Sequence, residues 1–249
     1  MGLRSGNPTL NDKTFRAYSL PDRRENLMTV WGTVNKTAML LALVFGASGW
    51  TWYLFVQSQD VGSIAPWMIV GLLGGLIFAL ITIFKMEWAP YTAPVYAILE
   101  GLFLGGISAV VETQYPGIVM QAVGLTFGTL AALLIAYSSR LIKVTHNLRL
   151  GIVAATGGIT LVYIVSIIMR LFGVDIPYIH GNGIVGIGFS LFVVVIAALN
   201  LVLDFDFIEN GARKRASAYM EWYGAFGLIV TLVWLYLEIL RLLTKIRGR

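Results

Sequence analysis

The sequence contains no cysteine and only two histidines, His146 and His180, among its 249 residues. Disulfide bonds, thiol nucleophiles and cysteine-bound metals are therefore excluded, and so is a histidine-rich zinc site. Charged residues are also scarce, at 12% of the chain, which is about half the fraction found in an ordinary soluble domain. A chain with so little charge could not cover a water-facing surface, which excludes a soluble globular protein.

Hydrophobic residues make up 57% of the chain and gather in long continuous runs. These runs are close to the length of about 20 residues that a helix needs to cross a bilayer. A transmembrane barrel would instead show alternating segments of about ten residues. We therefore predict an all-α membrane protein, a bundle of seven transmembrane helices forming one domain over residues 37–249. The predicted spans are Thr37–Gln57, Trp67–Phe84, Ala93–Val111, Ile118–Tyr137, Leu150–Leu171, Ile184–Leu203 and Trp222–Leu243.

The segment before the first span, residues 1–36, is polar and mixed in charge. It has no apolar core followed by a small-residue cleavage site, so we expect no signal peptide and expect the first span to direct insertion. Its composition favours a partly ordered N-terminal arm on the cytoplasmic side.

Lysine and arginine in the loops predict the orientation, because cytoplasmic loops carry an excess of both. The arm and the loops after segments two, four and six hold the basic residues Arg4, Lys13, Arg16, Arg23, Arg24, Lys36, Lys85, Arg140, Lys143, Arg149, Arg213, Lys214 and Arg215. The opposite loops hold almost none, so we predict a cytoplasmic N-terminus in the cell (inner) membrane. The net charge of +5 is thus an orientation signal and does not indicate a nucleic-acid partner.

The C-terminal tail departs from this pattern. Seven spans place it outside, yet it carries Arg241, Lys245, Arg247 and Arg249. We favour seven full spans over the alternative that segment six or seven fails to cross. Within segment three, Gly101 and Gly105 form a GxxxG pattern, which lets helix backbones approach closely in lipid. In a polytopic protein this pattern favours internal packing over a dimer interface.

Four acids lie inside or at the ends of apolar segments, where a charge near the bilayer centre costs roughly 2.5–3.5 kcal/mol. Glu100 lies in segment three, Asp204 and Asp206 at the end of segment six, and Glu238 within segment seven. Glu100 is either a structural acid held by a buried donor or a pore-lining, proton-accepting group. Asp204 and Asp206 are about 200° apart around a helix. Only one of them can face the bundle, and we expect the other in solvent.

Glu238 has apolar residues on both sides, and Arg241, one turn later, offers a local ion pair. If Glu238 instead faced an acid on segment six, the two carboxylates would share one proton in the low-dielectric interior. Such a pair would close with the proton bound and open when both charges repel. Unprotonated, it would offer oxygen ligands to calcium. Spacing alone does not bring Asp204 and Glu238 together, since a simple hairpin leaves them about 20 Å apart along the helix.

Two stretches resemble the Bax inhibitor-1 family, also called the transmembrane Bax-inhibitor-motif family, in its bacterial YccA-like branch. They are APVYAILEGLFLGGIS at Ala93–Ser108 and the terminal pair LVLDFDFIENGA and LYLEILRLL. The likeness covers residues 37–243 and leaves out the arm. It implies a bundle wrapped around a central last helix, and a pH sensor made of one acid on helix six and one on helix seven. Those positions fall on Asp204 and Glu238.

The resemblance also implies a pH-sensitive calcium leak across the membrane. Two departures affect the geometry of the sensor. The acid on helix seven is often aspartate in the family and is glutamate here, and the connection Ala212–Glu221 looks longer than usual.

The predicted function is therefore a calcium-permeable leak channel gated by Asp204 and Glu238, which would also bind calcium in passing. Glu100 and Asp206 are further pore or proton-linked candidates. Calcium ions, protons and the bilayer are the expected partners, with no resident cofactor. The alternative is a non-transporting regulator that binds another membrane protein, such as a protease, through the arm. We expect no enzyme because the GxGD, HExxH and GxSxG motifs are absent.

Overall fold

A computed structural model of the chain describes residues 27–173, 181 and 183–248. Within these ranges seven helices are long and apolar enough to cross a membrane. They are α1 (Val30–Ser58), α2 (Val61–Phe84), α3 (Ala89–Gln114), α4 (Ile118–Ser138), α5 (His146–Leu171), α6 (Ile184–Arg213) and α7 (Tyr219–Arg247). A short 3₁₀ turn at Met86–Trp88 precedes α3. The predicted seven-helix, all-α membrane architecture is confirmed.

The helices extend beyond the predicted apolar spans, because local capping sets their ends. The first helix starts at Val30 and not at Thr37, since the Thr29 side chain accepts a hydrogen bond from the backbone N–H of Gly32. The sixth continues from Leu203 to Arg213. Only residues 214–218 then separate α6 from α7, so half of the connection that looks long in the sequence is helical.

The last helix, α7, lies at the centre of the bundle. It packs against α1, α3, α4 and α6, and 56% of its most apolar window is buried, against 17% for α2. The outer helices pack on this inner group: α2 lies against α3 and α1, and α5 lies against α6. The expectation of a central C-terminal helix is confirmed.

Glycines bring α1 and α3 into direct backbone contact. A Cβ atom on Gly101 would lie 2.5 Å from the carbonyl oxygen of Val44, and one on Gly105 would lie 2.3 Å from that of Ser48. The Ser48 hydroxyl also donates to the Gly101 carbonyl oxygen at 3.0 Å. The GxxxG pattern therefore serves packing inside one chain.

The two ends of the bundle differ in charge. At one end, called the basic end below, lie the starts of α1 and α5, the latter with Arg149, and the loops that contain Arg140 and residues 214–218. At the opposite end the basic side chains of α7 are tied to backbone. Lys245 is buried and donates to the carbonyl oxygen of Gly186 at 3.1 Å, and Arg247 donates to that of Pro116 at 2.7 Å. Helix α7 thus runs from the basic end to the opposite end, as a seventh full crossing requires.

Candidate functional site

The side chain of Asp204 lies at the interface of α6 and α7. The hydroxyl of Thr231 on α7 lies beside it. Its Oδ2 atom is buried and has no hydrogen-bond partner within the described ranges, a property it shares only with the Ser166 hydroxyl. A buried carboxylate oxygen without a partner is costly in an apolar interior. This oxygen therefore marks a place where water, a proton or a cation would be stabilised.

Asp204 borders a polar cavity of about 620 Å³ between α5, α6 and α7. Asn200 lies on the inner side of Asp204 along α6, while Asp206, Asn210 and Lys214 line the cavity towards the basic end. The cavity therefore connects the buried carboxylate with that end of the bundle.

Asp206 points to the rim of this cavity and away from the buried interface. Its carboxylate pairs with Arg149 at 2.5 Å and accepts a hydrogen bond from the Asn210 side chain at 2.9 Å. Of the two neighbouring aspartates, Asp204 is thus the one that faces the bundle, and Asp206 joins α6 to the start of α5.

Glu238 is almost completely buried, with 2% of its side chain exposed. It accepts hydrogen bonds from the Tyr163 hydroxyl at 2.8 Å and from Arg241 Nη1 at 3.0 Å. The same Arg241 nitrogen donates to the Tyr163 oxygen at 2.7 Å, and the guanidinium lies 5.1 Å from the centre of the tyrosine ring. These three side chains, called the Glu238 cluster below, compensate the buried acid with a cation and a hydroxyl donor.

Asp204 and Glu238 are not paired with each other, which corrects the predicted carboxylate pair. Asp204 lies beside Thr231, which precedes Glu238 by seven residues, or roughly 10 Å along α7. The reason is the register of the α6–α7 hairpin, whose connection at 214–218 places Asp204 opposite Thr231. No group of three or more acidic or histidine side chains in the described part of the chain is arranged to hold a metal ion. The two acids therefore form two separate sites along α7, one beside Thr231 and one at the Glu238 cluster.

Glu100 lies on a different face of the bundle. A Cβ atom on Gly75 of α2 would lie 3.1 Å from its Oε2 atom, so the carboxylate occupies space that the glycine leaves free. The Tyr96 ring, one turn earlier, packs edge-on against Phe226 of α7 at 5.0 Å. Glu100 thus faces α2 and lies apart from both Asp204 and the Glu238 cluster.

A further acid that the sequence reasoning missed is Glu221, in the first turn of α7. It accepts hydrogen bonds from the backbone N–H and the hydroxyl of Thr29, both at 2.8 Å, and pairs with Lys36. A Cβ atom on Gly32 would lie 2.0 Å from its Oε1 atom. This contact fixes the start of α1 to the start of α7. The predicted docking arm falls mainly on residues 1–26, which lie outside the described residues.

Tyr163, Thr231 and Arg149 were also missed as partners of the acids. Tyr163 and Thr231 are hydroxyl side chains inside apolar segments, which is a usable signal for buried hydrogen bonding. Arg149 had been assigned only to the orientation pattern. Nothing in its spacing from Asp206 along the chain indicates their contact.

Comparison with known proteins gives one match. A family model described as Bax inhibitor 1 like covers residues 7–248. The chain belongs to the Bax inhibitor-1 family. The match includes most of the N-terminal arm, so the predicted resemblance over 37–243 was too short. No curated protein and no solved structure matches the chain. As a family member with seven apolar helices, it is a multi-pass membrane protein.

Proposed function

We propose that this Bax inhibitor-1 family protein is a proton-sensitive leak pathway for cations, calcium in particular. The observation that carries the proposal is the Asp204 carboxylate at the wall of the cavity between α5, α6 and α7, whose buried Oδ2 atom has no hydrogen-bond partner. A cation that enters from the basic end meets an uncompensated negative charge there. Carboxylate and hydroxyl oxygens are the ligands that calcium prefers, and Asp204 and Thr231 offer both.

The Glu238 cluster supplies the closed gate in this proposal. Beyond Thr231 the path along α7 reaches Glu238, whose carboxylate is already occupied by Arg241 and Tyr163. A cation can use Glu238 only after Arg241 moves away from it. Arg241 has 42% of its side chain exposed, so it has room to swing out. The described conformation is thus the closed one, and in the open one a cation would meet Asp204 first and Glu238 second.

Protonation of Asp204 lowers the flux in this mechanism. The neutral acid no longer attracts a cation, and it satisfies its own buried oxygen with an O–H group. Flux should therefore fall as the pH is lowered. No covalent chemistry is involved, and we expect no enzymatic activity.

We place the basic end of the bundle on the cytoplasmic side of the inner membrane, because lysine and arginine are retained there. The cavity beside Asp204 then opens to the cytoplasm, and the Glu238 cluster lies towards the outer side. Two of the tail basic residues that oppose this rule, Lys245 and Arg247, donate to backbone carbonyl oxygens. Their contacts offset the cost of placing them outside.

Calcium flux into proteoliposomes between about pH 6 and 8 tests the proposal, since a buried carboxylate titrates there. Asp204→Asn should reduce the flux and remove its pH dependence, because asparagine mimics the neutral acid. The matched control is Asp60→Asn: Asp60 caps α2 at the opposite end of the bundle, and asparagine caps helices equally well. Glu238→Gln should raise the flux by loosening Arg241. Wild-type flux and pH profile in both Asp204→Asn and Glu238→Gln would refute the mechanism.

A further inference from the structure

A long apolar groove runs between α1 and α4, with α6 and α7 as its floor. Its larger part is a cavity of about 580 Å³ that extends from Val30 and Arg140 at the basic end to Leu41 and Leu232. A second cavity of about 270 Å³ continues towards the opposite end. Leu41 and Leu232 line both cavities, so the two are continuous. We call the whole the α1–α4 groove.

The groove is open to the surrounding lipid along its side. Val34 and Leu134, on its two walls, have 47% and 48% of their surface exposed. Further along, the rings of Phe45 and Phe127 stack at 5.9 Å, which links the two walls. This opening is independent of the polar cavity beside Asp204, which lies on the other side of α6.

Polarity along the α1–α4 groove is graded. The threonines of the α1 wall use their hydroxyls within the helix, since Thr33 donates to the Thr29 carbonyl at 3.0 Å and Thr37 to that of Thr33 at 2.9 Å. Charged groups occur only where the groove meets the basic end, at Arg140 and Glu209. The groove thus offers a charged mouth followed by an apolar channel.

The dimensions match one leaflet of a bilayer. Val30 to Leu41 spans eleven residues of helix, or roughly 16 Å. Half of a hydrocarbon core of about 30 Å is close to that length. An acyl chain inserted beside α1 from the basic end therefore runs the length of the larger cavity and ends near Leu232.

Arg140 supplies a site for the headgroup. It lies two residues beyond the end of α4, and its side chain is 63% exposed. One of its nitrogens pairs with Glu209 at 2.9 Å. A guanidinium has five N–H donors, so others stay available to a phosphate.

We propose that the α1–α4 groove is a binding site for an anionic phospholipid of the leaflet at the basic end. One acyl chain lies between α1 and α4, and the phosphate contacts Arg140. A lipid held there fills the gap between two helices that both pack on α7, and so supports the bundle from the side away from the proposed cation path.

The test uses the full chain in liposomes that contain a phosphatidylglycerol with a photoreactive diazirine in one acyl chain. Cross-linked peptides are then identified by mass spectrometry. We expect labelling to concentrate on the groove faces of α1 and α4. Ala38→Phe should remove most of this labelling, because Ala38 is an exposed groove residue and a phenyl ring there blocks the chain. Ala42→Phe is the matched control, since Ala42 is exposed on α1 but does not line the groove.

A second arm tests the headgroup by competition with unlabelled phosphatidylglycerol or phosphatidylcholine. Arg140→Gln should reduce the preference for phosphatidylglycerol about fivefold, because one basic residue at an anionic surface contributes roughly 1 kcal/mol to binding. Arg213→Gln, which also removes a charge near Glu209 but lies outside the groove, should leave it unchanged. Two outcomes overturn the proposal. One is labelling that spreads evenly over the outer face of α2 and does not change with Ala38→Phe, because the probe would then report only the surrounding bulk lipid. The other is a change in oligomeric state with Ala38→Phe in native mass spectrometry, which means that a second copy covers the groove.

Discussion

Removing the cation of the Glu238 cluster tests the physical basis of the proposed gate. Arg241→Gln keeps a polar side chain but removes the guanidinium, which leaves Glu238, with 2% of its side chain exposed, without its ion-pair partner. Breaking a fully buried pair costs about 3–5 kcal/mol. Arg241 is 42% exposed, and the Tyr163 hydroxyl still donates to the acid. We therefore expect the unfolding free energy to fall by the lower limit of this range, about 3 kcal/mol.

Thermal unfolding of the purified protein in detergent measures this effect. For a chain of this size about 3 kcal/mol corresponds to a fall in Tm of roughly 6–12 °C. The double variant Glu238→Gln/Arg241→Gln has no charge left in the Glu238 cluster, so it should recover most of that loss. Arg213→Gln is the control, because its pair with Glu209 at 3.6 Å is solvent-exposed and should contribute at most about 1 kcal/mol. The reasoning fails if Arg241→Gln leaves Tm unchanged, or if the double variant is no more stable than the single one.

Two further predictions concern helix packing at Gly105 and the contact between Asp204 and Thr231. Gly105→Ala should destabilise the protein by about 1–3 kcal/mol, because the new Cβ would lie 2.3 Å from the Ser48 carbonyl oxygen. Gly128→Ala, where a Cβ meets open space, should be neutral or stabilising by up to about 1 kcal/mol. Equal unfolding temperatures for the two variants would contradict the expectation. Thr231→Asp should place a second carboxylate opposite Asp204, so that its Tm at pH 8 falls below its Tm at pH 6 by the equivalent of about 1–3 kcal/mol, whereas Thr231→Ser, which keeps a single carboxylate there, should show a smaller difference.

The fold was predictable because the bilayer imposes a simple rule on the sequence. Each apolar run of about 20 residues must satisfy its backbone internally and therefore forms a spanning helix. The ends of the helices were less predictable, because they depend on single side chains. Thr29 caps α1, which starts seven residues before the predicted apolar run, and α6 continues ten residues past Leu203 to Arg213. Neither feature changes the hydropathy of the runs.

The candidate site was predictable in its acids but not in their partners. Charge inside an apolar run is costly, so Asp204 and Glu238 stand out in the sequence. Which residue each acid meets depends on the register between α6 and α7, and one turn of extra helix at Arg213 changes that register by about 5 Å. Tyr163 comes from α5, whose contact with Glu238 leaves no local trace in the chain.

The separation of the two acids also changes what a proton can do in the proposed mechanism. In a shared pair, one proton binds both carboxylates and a single titration controls opening. Here Asp204 faces a neutral hydroxyl and a polar cavity, so its proton comes from the basic end and acts on cation entry. Glu238 is paired with Arg241, so the movement of Arg241 limits passage. Acidification and disruption of the Glu238 cluster should therefore act independently, and the effects of Asp204→Asn and Arg241→Gln on flux should multiply rather than mask each other, as expected for sites without direct contact.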